Sequence, residues 1–473
     1  MDHAEFRRHA HAFVDWMADY LETVERHPVR AQVKPGEIAE RVPLRPPEHG
    51  EPMEAIFQDF KTAILPGITH WQHPSFFAYF PANSSPPSVL AEMLTATVGA
   101  QCMLWQTSPA ATELETRVLD WLRQMIGLPE GFAGVIQDSA SSAILCAILT
   151  ARERATGWRV NDEGVGVGER LTVYCSGETH SATEKDVRIA GLGRRNLRKV
   201  PVDDRFAMRA DALEATILAD KGAGATPICV VASLGTTGVG AVDPLRALGE
   251  VCRRQGVWLH VDAAWAGSAL VLPEHRWMLD GIEHVDSFVF NPHKWMLTNF
   301  DCSAHYVRDP DVLVRTLEIL PAFLKTRERG HVIDYRDWSV PLGRRFRALK
   351  LWFVIRSYGV EGIRRLIGQH IAWAGELERW IAAQPDFELM APRSLALVNF
   401  RHHPRGVDEP AELDRLNEGL LEALNDSGEL YLTQNRVRGA YSIRFSIGQT
   451  STARRHVEAA WARIQTTARA LRP

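Results

Sequence analysis

An aspartate and a lysine stand where two short β-branched runs end. Val257-Trp258-Leu259-His260-Val261 leads into Asp262-Ala263-Ala264, and Ser287 to Phe290 leads into Asn291-Pro292-His293-Lys294-Trp295. Taken singly, the aspartate also reads as a cap and the lysine as a solvated surface residue. As a pair at neighbouring strand ends they are what pyridoxal 5'-phosphate requires: an amine to form a Schiff base with the aldehyde, and a carboxylate to keep the pyridine nitrogen protonated. The small residues after Asp262 leave room for a planar ring. A phosphate needs a third element. Gln137-Asp138-Ser139-Ala140-Ser141-Ser142, just before an apolar helix from Ala143, offers hydroxyls and backbone N–H groups at a helix N-terminus, where a plain serine N-cap is the simpler alternative. His180, in Gly177-Glu178-Thr179-His180-Ser181 after a run ending at Cys175, is placed to stack on the ring. A metal centre built from His180, His260, His293 and His305 is the competing chemistry, but these four show no HxxxH or HxH spacing, so no metal is expected.

These residues need a frame to converge on. Leu171–Cys175, Ile228–Ser233, Val257–Val261, Ser287–Phe290 and Ser303–Val307 read as buried strands separated by helix-length segments such as Pro244–Gln255. That alternation predicts an α/β fold with a mainly parallel central sheet and ligands at the carboxyl ends of its strands. Beyond Trp338 the texture changes. Arg344–Tyr358 and Ala411–Asn425 read as helices and Leu395–Arg401 and Ser442–Ile447 as strands, the signature of a small C-terminal α+β domain. At the other end, Phe6, Ala10, Phe13, Val14, Met17, Tyr20, Leu21 and Val24 mark a helix with one apolar face that needs covering, a Pro-rich linker follows from Lys34 to Pro52, and Met53–Ile64 reads as a second helix. His70–Pro87 carries Trp71, Phe76, Phe77, Tyr79 and Phe80 among prolines, either as a buried hinge or as an aromatic pocket wall. The expected division is 1–85, a helical segment; 86–350, a large cofactor-binding α/β domain; and 351–473, the small domain. Gly164, Gly166 and Gly168 imitate a nucleotide loop, but they precede a strand and read as a flexible connection.

Composition narrows the function classes. The 473 residues are 45% apolar and 24% charged with a formal charge of -4, which argues against long disorder and against a global field for nucleic acid or anionic membrane. The six cysteines form no CxxC pair, the N-terminus lacks the apolar centre of a signal peptide, and no apolar run approaches the ~20 residues of a membrane span. A soluble cytoplasmic protein with reduced thiols is expected.

The ordered fragments His73-Pro74 through Phe80-Pro81, Ser108-Pro109-Ala110, Glu113-Leu114-Glu115, Gly134-Val135-Ile136-Gln137, Leu234-Gly235-Thr236-Thr237-Gly238, His260-Val261-Asp262-Ala263-Ala264, Asn291-Pro292-His293-Lys294-Trp295, Asn299-Phe300-Asp301-Cys302-Ser303 and Pro341-Leu342-Gly343-Arg344-Arg345-Phe346 resemble the aromatic L-amino acid decarboxylases, in the pyridoxal-phosphate-dependent group that also includes histidine and glutamate decarboxylases. The resemblance covers essentially the whole chain. It implies fold type I and a homodimer whose N-terminal helices clasp the partner and whose active sites are shared. It implies Lys294 as the Schiff-base lysine, Asp262 as the partner of the pyridine nitrogen and His180 as the stacked ring. Ser139, Ala140, Ser141 and Asn291 would hold the phosphate, Thr237 and His293 would lie beside the cofactor, and Gly343 would approach the phosphate of the other subunit. Trp71, Tyr79, Phe80 and Pro81 would line the substrate pocket, with Met103 where relatives contribute an aromatic.

One departure bears on the product. The family's proton donor to Cα is a loop tyrosine, and its position here is Phe323 in Pro321-Ala322-Phe323-Leu324-Lys325, which has no hydroxyl to donate. Plant relatives with phenylalanine at this position are aromatic acetaldehyde synthases, which couple decarboxylation to oxidative deamination and release aldehyde, ammonia and hydrogen peroxide. Decarboxylation of an aromatic L-amino acid to its amine is therefore the first expectation and the synthase reaction the alternative, with His180 retained as a possible proton donor. An inactive cofactor-binding interaction protein is a third reading, opposed by the intact Asp262, Lys294 and His180 set. The aromatic wall and the absence of an evident cationic clamp disfavour glutamate. Arg444, on a strand-like run, reads either as approaching the site or as half of a surface ion pair.

Overall fold

A computed structural model describes residues 1–319, 328 and 330–471. The chain divides into two compact units, Met1–Pro81 with Gly375–Met390 and Val398–Pro473, and Ala82–Ala374 with Ala391–Leu397.

The second unit is built on a seven-stranded sheet. Its strands are β1 (Ala133–Gln137), β2 (Leu171–Ser176), β3 (Leu197–Val200), β4 (Thr226–Ser233), β5 (Trp258–Asp262), β6 (Ser287–Phe290) and β7 (Ser303–Val307), in the spatial order β1-β7-β6-β5-β4-β2-β3. β2, β3, β4, β5 and β6 pair in parallel, while β7 runs antiparallel to both β1 and β6. Every residue of β2, β5, β6 and β7 is buried, as a sheet covered on both faces demands, which is why these strands read as continuous apolar runs. Ile144, Ile148, Val173, Val187, Val231 and Trp258 form part of the core on one face. Because β1, β2, β4, β5 and β6 share a direction, Gln137, Ser176, Ser233, Asp262 and Phe290 end at one edge of the sheet. The five strands expected from sequence are present, and β1 and β3 are additional.

The helical run predicted to stop at Tyr358 resumes after Gly359, whose left-handed φ of 63° breaks the regular geometry within Arg347–Ala382. In the first unit, β8 (Phe387–Leu389), β9 (Leu397–His402), β10 (Thr433–Val437) and β11 (Ala440–Ser446) form a four-stranded sheet of order β10-β11-β9-β8. Arg438 and Gly439, with φ of 51° and 87°, make the tight turn between β10 and β11. The N-terminal helix His3–Thr23 is started by an Asp2 capping box. It sets Phe13 against Phe57 at 4.3 Å and Trp16 against Phe60 at 5.3 Å, so the helix at Met53–Asp59 covers part of its apolar face. Phe6, Val14 and Leu21 stay exposed. Among the described residues no helix is long and apolar enough to cross a membrane.

Candidate functional site

The edge where the parallel strands end is braced by peptide-to-peptide hydrogen bonds. Leu234 N–H donates to the Asp262 carbonyl at 2.9 Å, Ala263 N–H to Val289 at 2.9 Å, and Asn291 N–H to Ala264 at 2.9 Å, so the turns after β4, β5 and β6 are tied in sequence. Asp262 is the last residue of β5, and its Oδ1 accepts from the Ala264 N–H at 2.9 Å. Lys294 sits in the short turn Pro292–Trp295, its N–H bonded to the Asn291 carbonyl at 2.9 Å. His180 follows β2, and its Nδ1 accepts from the Ala182 N–H at 3.1 Å, which leaves the proton of the neutral ring on Nε2. Partial burial and then the Lys294 charge hold its pKa below the ordinary histidine value, with Asp262 pulling the other way. His180 therefore feels both the amine and the carboxylate.

The helix Ala140–Ala155 starts beside them. Ser139 is its N-cap in extended conformation, with Oγ accepting from the Ser142 N–H at 3.2 Å. Ala140 and Ala143 pack on Val289 of β6 with Ala264, which brings the first turn of this helix to the strand ends. Asn291 is buried with Oδ1 taken by the Ser303 hydroxyl at 2.8 Å, so its amide N–H₂ is the group left to donate. Ser141 and His180 line an open concavity of about 920 Å³ together with Lys185 and Arg188. His293 is buried, its Nδ1 accepts from Cys302 N–H at 2.9 Å, and burial with the Lys294 charge holds it at about 3, so it is neutral. Thr237 lies half-buried in the turn after β4, where Gly240 N–H bonds the Thr236 carbonyl at 2.8 Å. Gly343 lies against Gln101, whose Nε2 would stand 3.3 Å from an added Cβ. The next residue, Arg344, is fixed by a buried ion pair to Glu115 at 2.6 Å. The Met103 carbonyl accepts from the Arg336 N–H at 3.0 Å.

The remaining expected residues belong to the first unit or lie beyond the described chain. Trp71 stacks on Tyr79 at 5.8 Å and meets Phe76 at 4.4 Å, while Tyr79 shares a hydroxyl contact of 3.2 Å with Tyr431. Phe76, Phe80 and Pro81 are buried and Trp71 and Tyr79 exposed, so the segment is part core and part open aromatic surface. Arg444 is no surface residue: it is 3% exposed, donates to the Tyr79 carbonyl and Thr433 Oγ1 at 3.1 Å each, and lies 5.1 Å from the Phe80 ring centre. Phe323 lies outside the described residues. Sequence reading missed Ser303, which orients Asn291, and Tyr431, which extends the aromatic surface.

This donor set fits pyridoxal phosphate: a carboxylate at the end of β5, an amine after β6 and an imidazole after β2, with a helix N-terminus, hydroxyls and a side-chain amide for the phosphate. Among the described residues no cluster of three or more His, Cys, Asp or Glu is arranged to hold a metal ion. The family model described as the pyridoxal-dependent decarboxylase conserved domain matches residues 35–403. The chain belongs to this family.

Within the pyridoxal-dependent decarboxylases, the chain is 44% identical to a phenylacetaldehyde synthase of Arabidopsis thaliana, over 98% of this chain and 96% of the relative. It is also 44% identical to tyrosine decarboxylase 4 of Petroselinum crispum, over 99% and 94%. Among solved structures, Oryza sativa TDC with PLP and tryptamine superposes with a TM-score of 0.96 at 36% identity, covering 100% of this chain and 99% of that one.

Proposed function

We propose that this decarboxylase acts on aromatic L-amino acids, using pyridoxal phosphate held by Lys294, Asp262, His180, Ser139, Ala140, Ser141, Asn291, Thr237 and His293. The observation that carries this reading is the position of Asp262 and Lys294 after the neighbouring strands β5 and β6, with the charges of both felt by His180 and the start of the helix Ala140–Ala155 packed on Val289 of β6. When bound, the cofactor supplies a carbonyl for the amine and a ring that accepts the electron pair left by carbon dioxide. Asp262 would hold a proton on the ring nitrogen, Lys294 would anchor the cofactor through its amine, and His180, whose neutral ring carries its proton on Nε2, would be the donor to Cα. Trp71, Tyr79, Phe80 and Pro81, with Met103 and Gly343, are the residues we assign to the substrate side chain and the partner's site. Arg444 supports that assignment by holding the Tyr79 backbone, whose φ of 49° is left-handed.

The aldehyde-forming reaction is the second reading, favoured by Phe323 and by the 44% identity to a phenylacetaldehyde synthase. It consumes dioxygen and water with the amino acid and yields aldehyde, carbon dioxide, ammonia and hydrogen peroxide. Incubating the protein with L-phenylalanine, L-tyrosine, L-tryptophan and L-Dopa in air, then quantifying carbon dioxide, amine, aldehyde and peroxide, tests both. Stoichiometric amine without peroxide rejects the synthase reading, and absence of carbon dioxide rejects both.

We further infer a homodimer. Phe6, Val14 and Leu21 in the first unit, and Leu90, Leu94 and Val98 on the helix Pro86–Val98 of the second, are exposed apolar residues that a partner would cover. In this reading residues 1–85 clasp the partner, 86–350 hold the cofactor and 351–473 help close the site. The six buried free thiols are in keeping with a cytoplasmic location.

A further inference from the structure

The helix Ala182–Ile189 begins two residues after His180 and has two faces. Ala182, Thr183, Asp186 and Val187 turn inward, while Ser181 just before the helix and Glu184, Lys185 and Arg188 along it recur at three- and four-residue steps on the other side. A polar face of this kind usually meets bulk water and needs no further reason. This one does not face open solvent alone. Glu184, Lys185 and Arg188 line the same concavity of about 920 Å³ as Ser141 and His180, so two cations stand on the wall of the space onto which those residues open.

Their lack of partners sets these cations apart. Elsewhere in the same unit arginines are neutralised by carboxylates: Arg198 by Asp220 at 2.8 Å, Arg246 by Asp280 at 2.7 Å and Arg254 by Glu214 at 2.9 Å. Among the described residues the side chains of Lys185 and Arg188 form no ion pair and no hydrogen bond, although Glu184 lines the same wall. Unpaired charges of one sign in a concave wall add their fields within it, and the low-dielectric protein behind them concentrates that field. The chain as a whole carries a formal charge of -4, which repels an anion, so attraction of one into this space depends on the local cations.

We infer that Lys185 and Arg188 steer the phosphate of pyridoxal phosphate into the concavity and so raise the rate at which the cofactor-free protein captures it. The inference rests on the proposed reading of Ser141 and His180 as cofactor residues. A phosphate monoester is close to a dianion at neutral pH, whereas an aromatic amino acid is a zwitterion without net charge. Of the two ligands, it is the cofactor that this wall attracts. Steering acts on encounter: it raises the association rate, fades as salt shortens the reach of the charges, and leaves dissociation nearly unchanged. Lys185 and Arg188 belong to the entry route and take no part in the reaction.

The test follows capture of pyridoxal phosphate by the cofactor-free protein in a stopped-flow instrument, in phosphate-free buffer, with tryptophan fluorescence as the signal and wild type compared with Lys185→Gln/Arg188→Gln. At about 0.01 M ionic strength, where the Debye length is about 30 Å, the double variant is expected to associate about tenfold more slowly than wild type; at about 1 M, where it is about 3 Å, the two rates should converge. The dissociation rates should agree within about twofold. Pyridoxal, which lacks the phosphate, should associate equally fast with both proteins, and Lys185→Arg/Arg188→Lys, which keeps both charges, should behave as wild type. A merely structural role would slow the variant equally at every salt concentration and would not distinguish the two ligands. Equal rates at low salt, a ratio independent of salt, or an equal slowing of pyridoxal overturns the inference and leaves the proposed function standing. Absence of binding in wild type overturns both. If the double variant does not fold, Lys185→Gln alone, expected to be about threefold slower at low salt, gives the same comparison.

Discussion

Replacing Glu115 by glutamine removes one charge from a pair that water does not reach. Both side chains are 3% exposed, Glu115 Oε1 accepts from Arg344 at 2.6 Å and from the Ile136 N–H at 2.8 Å, and the guanidinium also donates to the Ile136 carbonyl at 2.8 Å. Glutamine retains an acceptor for Ile136 N–H but leaves Arg344 as a buried cation over the Tyr335 ring, 4.9 Å from its centre. Breaking one side of such a pair costs about 3–5 kcal/mol. In a unit of this size that corresponds to a fall in melting temperature of roughly 8 °C. Glu115→Ala also strands the Ile136 N–H and should lose a further ~1–3 kcal/mol. The double variant Glu115→Gln/Arg344→Met removes both charges and should sit closer to wild type than Glu115→Gln alone. Thermal unfolding at a fixed scan rate, followed by circular dichroism and by the absorbance of bound pyridoxal phosphate, reads all of these. Gly343 precedes Arg344, so loss of the cofactor signal should come with the loss of structure. A fall of less than 2 °C for Glu115→Gln, or a double variant less stable than the single one, would refute the claim that the charge is desolvated and paired.

Three other outcomes follow from the same reasoning. Lys294→Ala should abolish the lysine-dependent absorbance band of bound pyridoxal phosphate and carbon dioxide release together, while circular dichroism stays unchanged; a retained band would remove Lys294 from its assigned role. Phe323→Tyr should move product from aldehyde and peroxide toward amine, read by chromatography and a peroxidase-coupled assay, and an unchanged ratio would show that another group controls protonation at Cα. His370, whose Nδ1 accepts the Trp295 indole N–H at 2.9 Å, is held by burial at about 3 against an unfolded value of 6.5. The neutral ring is favoured by folding, so its contribution is intact above pH 6.5 and is lost progressively as the pH falls toward 3. His370→Gln should flatten the acid limb of a stability-against-pH curve by about one proton, and an unaltered slope would contradict it.

Much of the frame was legible because burial on both faces writes itself into β2, β4, β5, β6 and β7 as apolar runs, and strand ends are where such folds place reactive groups. β1 and β3 were harder. Gly134 weakens the strand pattern of one, and Arg198-Lys199 on the sheet edge disguises the other. The reversed direction of β7 leaves no trace in its own residues, since parallel and antiparallel strands share the same period. Lys294, Asp262 and His180 stand out as candidates because their types fit a single chemistry. Arg444 could not be placed, because a cation on a strand has the same pattern whether it meets water or, as here, a carbonyl and a ring.

The turns carrying Asp262 and Lys294 are held by bonds from peptide to peptide: Leu234 to Asp262, Ala263 to Val289, and Asn291 to Ala264. Such a brace is indifferent to what the side chains are. Exchanges of reactive side chains at these positions leave the three backbone bonds in place, and only at Asp262 does the exchange also remove a side-chain acceptor, that of the Ala264 N–H.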